Sequence, residues 1–104
     1  MQAGRALNRL VARHVLRRNV WIFPARYSTD MRAAWQVVAM MARRGWTAEI
    51  RTPLVAGDVY VCGFVPRGVP EGSIRPRNHY AQAETLPLAI CLGALSALRI
   101  ALPE

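Results

Sequence analysis

The chain has 104 residues, 53% hydrophobic and 19% charged, with 7 glycines and 7 prolines; this composition suits one small folding domain and excludes multidomain machines and disordered or fibrous chains. It carries 14 basic residues, every one an arginine, against 6 acidic ones, for a formal charge of +8. Such a surplus invites a nucleic-acid partner, but the complete absence of lysine points to a compositional preference for arginine rather than to a surface shaped for one ligand.

In chain order, residues 1–29 contain no acid and carry Arg5, Arg9, Arg13, Arg17, Arg18 and Arg26. Residues 1–4 are expected to be a disordered tail. Residues 5–18 are predicted to be helical, with Leu7, Leu10, Val11, His14 and Val15 on one arc, Arg5, Arg9, Arg13 and Arg17 in an i, i+4 stripe beside it, and Leu16 and Arg18 off the pattern. A mitochondrial presequence has similar charge, but this stretch lacks the serine enrichment and runs directly into structured sequence; its apolar runs are too short for a secretory signal. Residues 19–26, with Trp21, Phe23 and Pro24, read as an extended connection.

A second helix is predicted after Ser28, Thr29 and Asp30, which offer capping oxygens to the periodic run Met31, Ala34, Trp35, Val38, Met41 and Ala42, with Arg32, Gln36 and Arg43 on the far side. Arg43 and Arg44 suit its last turn, and Gly45 suits a left-handed C-terminal position. The period then changes to two: Trp46, Ala48 and Ile50 alternate with polar residues, residues 53–58 turn the chain, and residues 59–65 return as an apolar strand that reads as covered on both faces. Residues 66–76, with Gly68, Pro70 and Gly72, form a predicted mobile surface loop bordered by Arg67, Arg75 and Arg77. A third strand over 79–84 leads to a final helix over 86–98, capped by Thr85, with Pro87 in its first turn. That helix is apolar on every side, so burial all round is expected, and a homodimer through it would cover any flank left open. It is too short to span a membrane.

The candidates for chemistry are few. Cys62 and Cys91 have no spacing that builds a zinc or redox motif, and apolar neighbours make them reduced core residues. His14 lies on an apolar arc and His79 in a strand, neither beside an accessible thiol. The six acids form no helical pair for general acid and base work, and no phosphate-cradling glycine motif is present. Tyr27, Ser28, Thr29, Asp30 and Trp35 are the candidate pocket for a small polar ligand, although capping explains Ser28 to Asp30 more simply. Arg5, Arg9, Arg13, Arg17, Arg67, Arg75 and Arg77 are the candidate nucleic-acid contacts, without a helix-turn-helix, RNP or GXXG motif to accompany them.

Two blocks carry a further signal. Tyr27-Ser28-Thr29-Asp30 followed by Ala33-Ala34-Trp35, with Gly45-Trp46 opening a strand, and Ala83-Glu84-Thr85-Leu86-Pro87-Leu88-Ala89-Ile90-Cys91-Leu92 with Ala94-Leu95, resemble the phage ABA sandwich domain family of small phage and prophage proteins. The resemblance implies an α/β/α layered fold with an antiparallel sheet, a bacterial or prophage setting and no assigned enzymatic activity; it brings no catalytic residue set. The chain departs from the family in its arginine content, its 66–76 loop and its less polar last helix.

The expectation is therefore a single α+β domain over residues 1–104, with a small antiparallel sheet of about three strands, helices packed on it and the order α-α-β-β-β-α. Its expected function is that of a cytoplasmic, non-enzymatic binding or interaction protein with no cofactor or metal. The alternatives are a nucleic-acid-binding accessory protein using the arginine-rich helix, and a small-ligand binder. The expected partners are another protein or a nucleic acid, together with a second copy along residues 86–98, and no membrane.

Overall fold

The computed structural model describes residues 3–17, 25–53, 55, 58–68 and 80–100. It has the order expected: α1 (Arg5–His14), α2 (Met31–Arg43), β1 (Trp46–Arg51), β2 (Tyr60–Pro66), β3 (Tyr80–Ala83) and α3 (Leu86–Ala97). The three strands form one antiparallel sheet in the order β1-β2-β3, so the fold is α+β.

The register explains how the sheet is sided. Ile50 pairs with Cys62, and Cys62 with Ala81; Ala48 pairs with Phe64, and Tyr60 with Ala83. These residues share one face by the two-residue strand period, and with Trp46 they supply every strand residue of the hydrophobic core. On the other face Glu49, Gly63 and Tyr80 lie in one row, and the Tyr80 hydroxyl donates to Glu49 Oε2 at 3.2 Å across the glycine. Gly63 has no side chain to block that reach. Val65 on this face is buried too, so β2 is covered on both sides at that position even though the core lies on one.

α3 is the centre of the packing and touches β2, β3, α2 and α1. Eight of its twelve residues are buried, including Ile90, Cys91, Ala94 and Leu95, while Leu86, Leu88, Leu92 and Ser96 are half-buried. Each fully buried large side chain in this core, such as Leu7, Met41, Phe64, Ile90 or Leu95, contributes about 1.5–3 kcal/mol of transfer free energy. Thr85 occupies the N-cap position with extended backbone, but its side chain makes no capping hydrogen bond, contrary to expectation. Pro87 in the first turn does part of that work, since it has no amide donor to satisfy.

The ends of the other helices follow local chemistry. Asp30 caps α2, its Oδ1 accepting from the Arg32 amide at 2.9 Å. Past the other end, Gly45 takes a φ of 90° and its amide donates to the Ala42 carbonyl, as expected of a left-handed C-terminal glycine. The buried face of α2 is Ala33, Ala34, Val37 and Met41, which leaves Trp35 52% exposed instead of in the core. Small residues at 33 and 34 let α2 close onto α3 and β1, an approach that an inward indole would prevent.

α1 ends at His14, short of the predicted residue 18, and its buried arc is turned from Leu10 and His14 toward Asn8 and Ala12. Leu16, off the sequence pattern, is buried because the chain bends after the helix, with Arg17 in the left-handed region at φ 53°. Pro66, placed in the loop by the sequence, is the last residue of β2 and pairs with Trp46. Arg67 and Gly68 then turn the chain, and residues 69–76 of the expected loop lie outside the described residues. Of the expected N-terminal tail, residues 1–2 also lie outside them, whereas Gly4 is tied down by a hydrogen bond from its amide to Ser28 Oγ.

Candidate binding cleft

Ser28 and Asn8 organise the polar part of the molecule. Ser28 is fully buried and Asn8 nearly so, the two buried polar residues among those described. Asn8 Oδ1 accepts from the Ser28 amide at 2.9 Å and from its hydroxyl at 2.6 Å, and the same hydroxyl oxygen accepts from the Gly4 amide at 3.0 Å. This network fastens the segment before α2 to the first turn of α1. Buried polar groups are costly unless satisfied, so the network specifies how these two segments meet.

Beside it opens a cleft of about 850 Å³ lined by Ala3, Ser28, Thr29, Gln82, Ala83, Glu84, Thr85, Pro87, Leu88 and Leu92. Three parts of the chain build it: the network segment on one side, the end of β3 on another, and the first turns of α3 as floor. Ala83, Pro87, Leu88 and Leu92 make an apolar base, and the exposed Thr29, Gln82, Glu84 and Thr85 make a polar rim, with the buried Ser28 behind them. Glu84 is the one charged residue of the lining, a notable exception in so basic a chain. The arrangement suits recognition by shape and hydrogen bonding.

Of the ligand-pocket candidates, the structure brings Ser28 and Thr29 to the cleft wall. Tyr27 is buried in the core, Asp30 is exposed and occupied at the α2 cap, and Trp35 is on the outer face of α2. Gln82, Glu84, Thr85, Leu88 and Leu92 were not singled out by sequence reasoning as site residues, and neither was Asn8. A polar residue inside the apolar arc of α1 is the signal that marks Asn8; nothing local marks the cleft, whose walls are more than fifty residues apart in the chain.

The arginines divide by role. Arg5, Arg9 and Arg13 are exposed along α1, and Arg17 is exposed beyond its end. Arg44 Nη1 donates to the carbonyls of His14 and Val15 at 3.0 and 3.3 Å, covering the C-terminal end of α1. Arg67 does the same for α2, its guanidinium donating to the Ala42 carbonyl and its amide to that of Gly45. A cation at a helix C-terminus meets both the unpaired carbonyls and the negative end of the dipole. Arg75, Arg77 and His79 lie outside the described residues.

Cys62 and Cys91 are free, buried thiols. Burial pushes each up to about 12, and in Cys91 the nearby Cys62 adds to the effect. A thiol held protonated and shielded is a poor nucleophile. No group of three or more metal-ligating side chains occurs among the described residues, and none of their helices is long and apolar enough to cross a membrane.

The sequence pattern of the phage ABA sandwich domain matches residues 9–95, most of the chain. The chain belongs to the phage ABA sandwich domain family. That span runs from α1 into the last turn of α3, so the family domain includes the whole sheet and the cleft floor at Leu88 and Leu92. No curated protein and no solved structure matches the chain. The family match makes this a phage-type protein.

Proposed function

We propose that this phage-type chain is a non-enzymatic, cytoplasmic binding protein that receives an extended segment of a protein partner in the cleft between β3 and α3. The observation that carries this reading is the pairing of an apolar floor at Leu88 and Leu92 with the end of β3, a terminal strand of the sheet among the described residues. The four residues of β3 carry no charge, whereas β1 at the opposite edge carries Glu49 and Arg51. Charges on an edge strand discourage strand addition, and an uncharged edge beside an apolar groove favours it. Main-chain hydrogen bonds would hold the segment, and alternate side chains would enter the groove.

Selection from a random peptide library tests the reading. It should recover extended peptides with alternating apolar residues, and Leu92→Arg should abolish their binding while the protein stays folded. A library that enriches nothing, or peptides indifferent to Leu92→Arg, would exclude it. A second copy placed on Leu88 and Leu92 would compete with peptide, so a dimer in sedimentation that peptide fails to dissociate also counts against it. The exposed Thr29, Gln82 and Thr85 on the cleft rim favour a second reading, a small polar ligand, for which a metabolite and nucleotide panel should raise Tm.

A further inference from the structure

We infer that the outward face of α2 is a stacking platform for single-stranded nucleic acid, a role separate from the cleft. At ~100° per residue Arg32, Trp35, Gln36, Ala39 and Arg43 fall within an arc of about 100°, and all five are exposed. Trp35 is one of two large hydrophobic residues exposed among those described, and it stands on a regular helix rather than in a turn. An exposed indole forgoes the burial free energy of the largest side chain in the chain's alphabet. Here it is flanked by cations at i−3 and i+8 and by an amide at i+1.

Those residue types match the needs of unpaired nucleotides. Every base offers a flat face to an indole, the phosphates on either side need cations, and the Gln36 amide can donate to and accept from a base edge. Neither guanidinium of Arg32 and Arg43 has an ion pair or hydrogen bond among the described residues. Asp30, the nearest acid in sequence, lies outside this arc and caps the helix. At the other end, Arg44 holds the C-terminal end of α1 against α2, which brings the stretch bearing Arg13 and Arg17 to the same end as Arg43.

The comparison with α1 selects the platform. Arg9 and Arg13 are exposed there, but no aromatic or amide side chain stands between them; Asn8 is turned inward and spent on Ser28. α1 offers phosphates only charge, whereas α2 offers charge, a stacking surface and a hydrogen-bonding amide. Paired bases in a duplex cannot reach a side chain on a helix surface to stack, so the preferred ligand is single-stranded.

Fluorescence anisotropy with labelled oligo-dT and oligo-rU at low salt tests the inference, with the two sugars separating DNA from RNA as the source. Binding should fall about tenfold in Trp35→Ala and be largely kept in Trp35→Phe. Arg32→Glu with Arg43→Glu should weaken it more than the charge-matched pair Arg9→Glu with Arg13→Glu, and a duplex of equal length should bind less well. Circular dichroism verifies folding, which a half-exposed position should tolerate. Absence of binding at low salt, equal affinity of Trp35→Ala and wild type, or equal losses from the two arginine pairs would each overturn the platform.

Discussion

Gly93 of α3 lies so close to Cys62 of β2 that a methyl group on Gly93 would stand 2.7 Å from the Cys62 carbonyl oxygen and 3.5 Å from its sulfur. Glycine weakens a helix interior, yet here its lack of a side chain sets the distance between the central helix and the middle strand. The obstacle is main chain, which cannot swing aside as a side chain would. Gly93→Ala should therefore destabilise the protein by up to about 2 kcal/mol, because a 2.7 Å approach to main chain puts overpacking in the upper part of about 1–3 kcal/mol, against a gain of about 1 kcal/mol in helix propensity. Chemical denaturation reads the change, and an unchanged or raised midpoint would contradict it.

Asn8→Ala should cost about 2 kcal/mol, because it leaves the buried Ser28 amide without its acceptor and its hydroxyl without the 2.6 Å partner. Ser28→Ala should cost less, since Asn8 keeps the amide. A double-mutant cycle should show strong coupling between the two positions. Additive losses would mean that the network does not act as a unit.

The end of α3 carries an avoidable strain. Arg99 takes φ 58°, its amide donates to Ser96 O at 3.0 Å, and the Ile100 amide donates to Leu95 O at 2.9 Å, the hydrogen-bond pair of a Schellman motif. Glycine is favoured at that position. Arg99→Gly should stabilise by up to about 1 kcal/mol, and Gly45→Ala, at the equivalent place after α2, should destabilise by about as much. Opposite shifts in Tm for the two variants are the expected reading.

The two thiols make stability fall at high pH. Both are pushed up from 9.0 to about 12 by burial. A folded-state value above the unfolded one means that their contribution is fully present below pH 9 and is lost as pH rises from 9 toward 12, by up to about 1.4 kcal/mol per pH unit for each thiol. Cys62→Ala with Cys91→Ala should flatten that part of the pH profile, although the cavities lower stability overall. Native protein should also react slowly with a thiol reagent at neutral pH and rapidly once unfolded.

Local signals carried most of the secondary structure. The Asp30 cap, the Gly45 stop and the change of period at Trp46 depend on neighbours a few residues away, so α2 and β1 were legible from the chain alone. The resemblance to the phage ABA sandwich domain was legible as well, from blocks that include the α2 start and the α3 start. The α1 boundary was not, because Leu16 is buried by a bend that helical periodicity cannot anticipate.

The sequence by itself determined the α+β order, the family and the apolar character of α3 on every face, since all three follow from local pattern and hydropathy. Tertiary structure alone decided that Trp35 faces outward, that Asn8 meets Ser28, that Arg44 and Arg67 are spent on helix ends and that a cleft opens beside β3. Each of these depends on which segments, distant in the chain, come within hydrogen-bonding or packing distance. One-dimensional periodicity places a residue on a helix but leaves open, within a position or two, which side of that helix the rest of the molecule will cover.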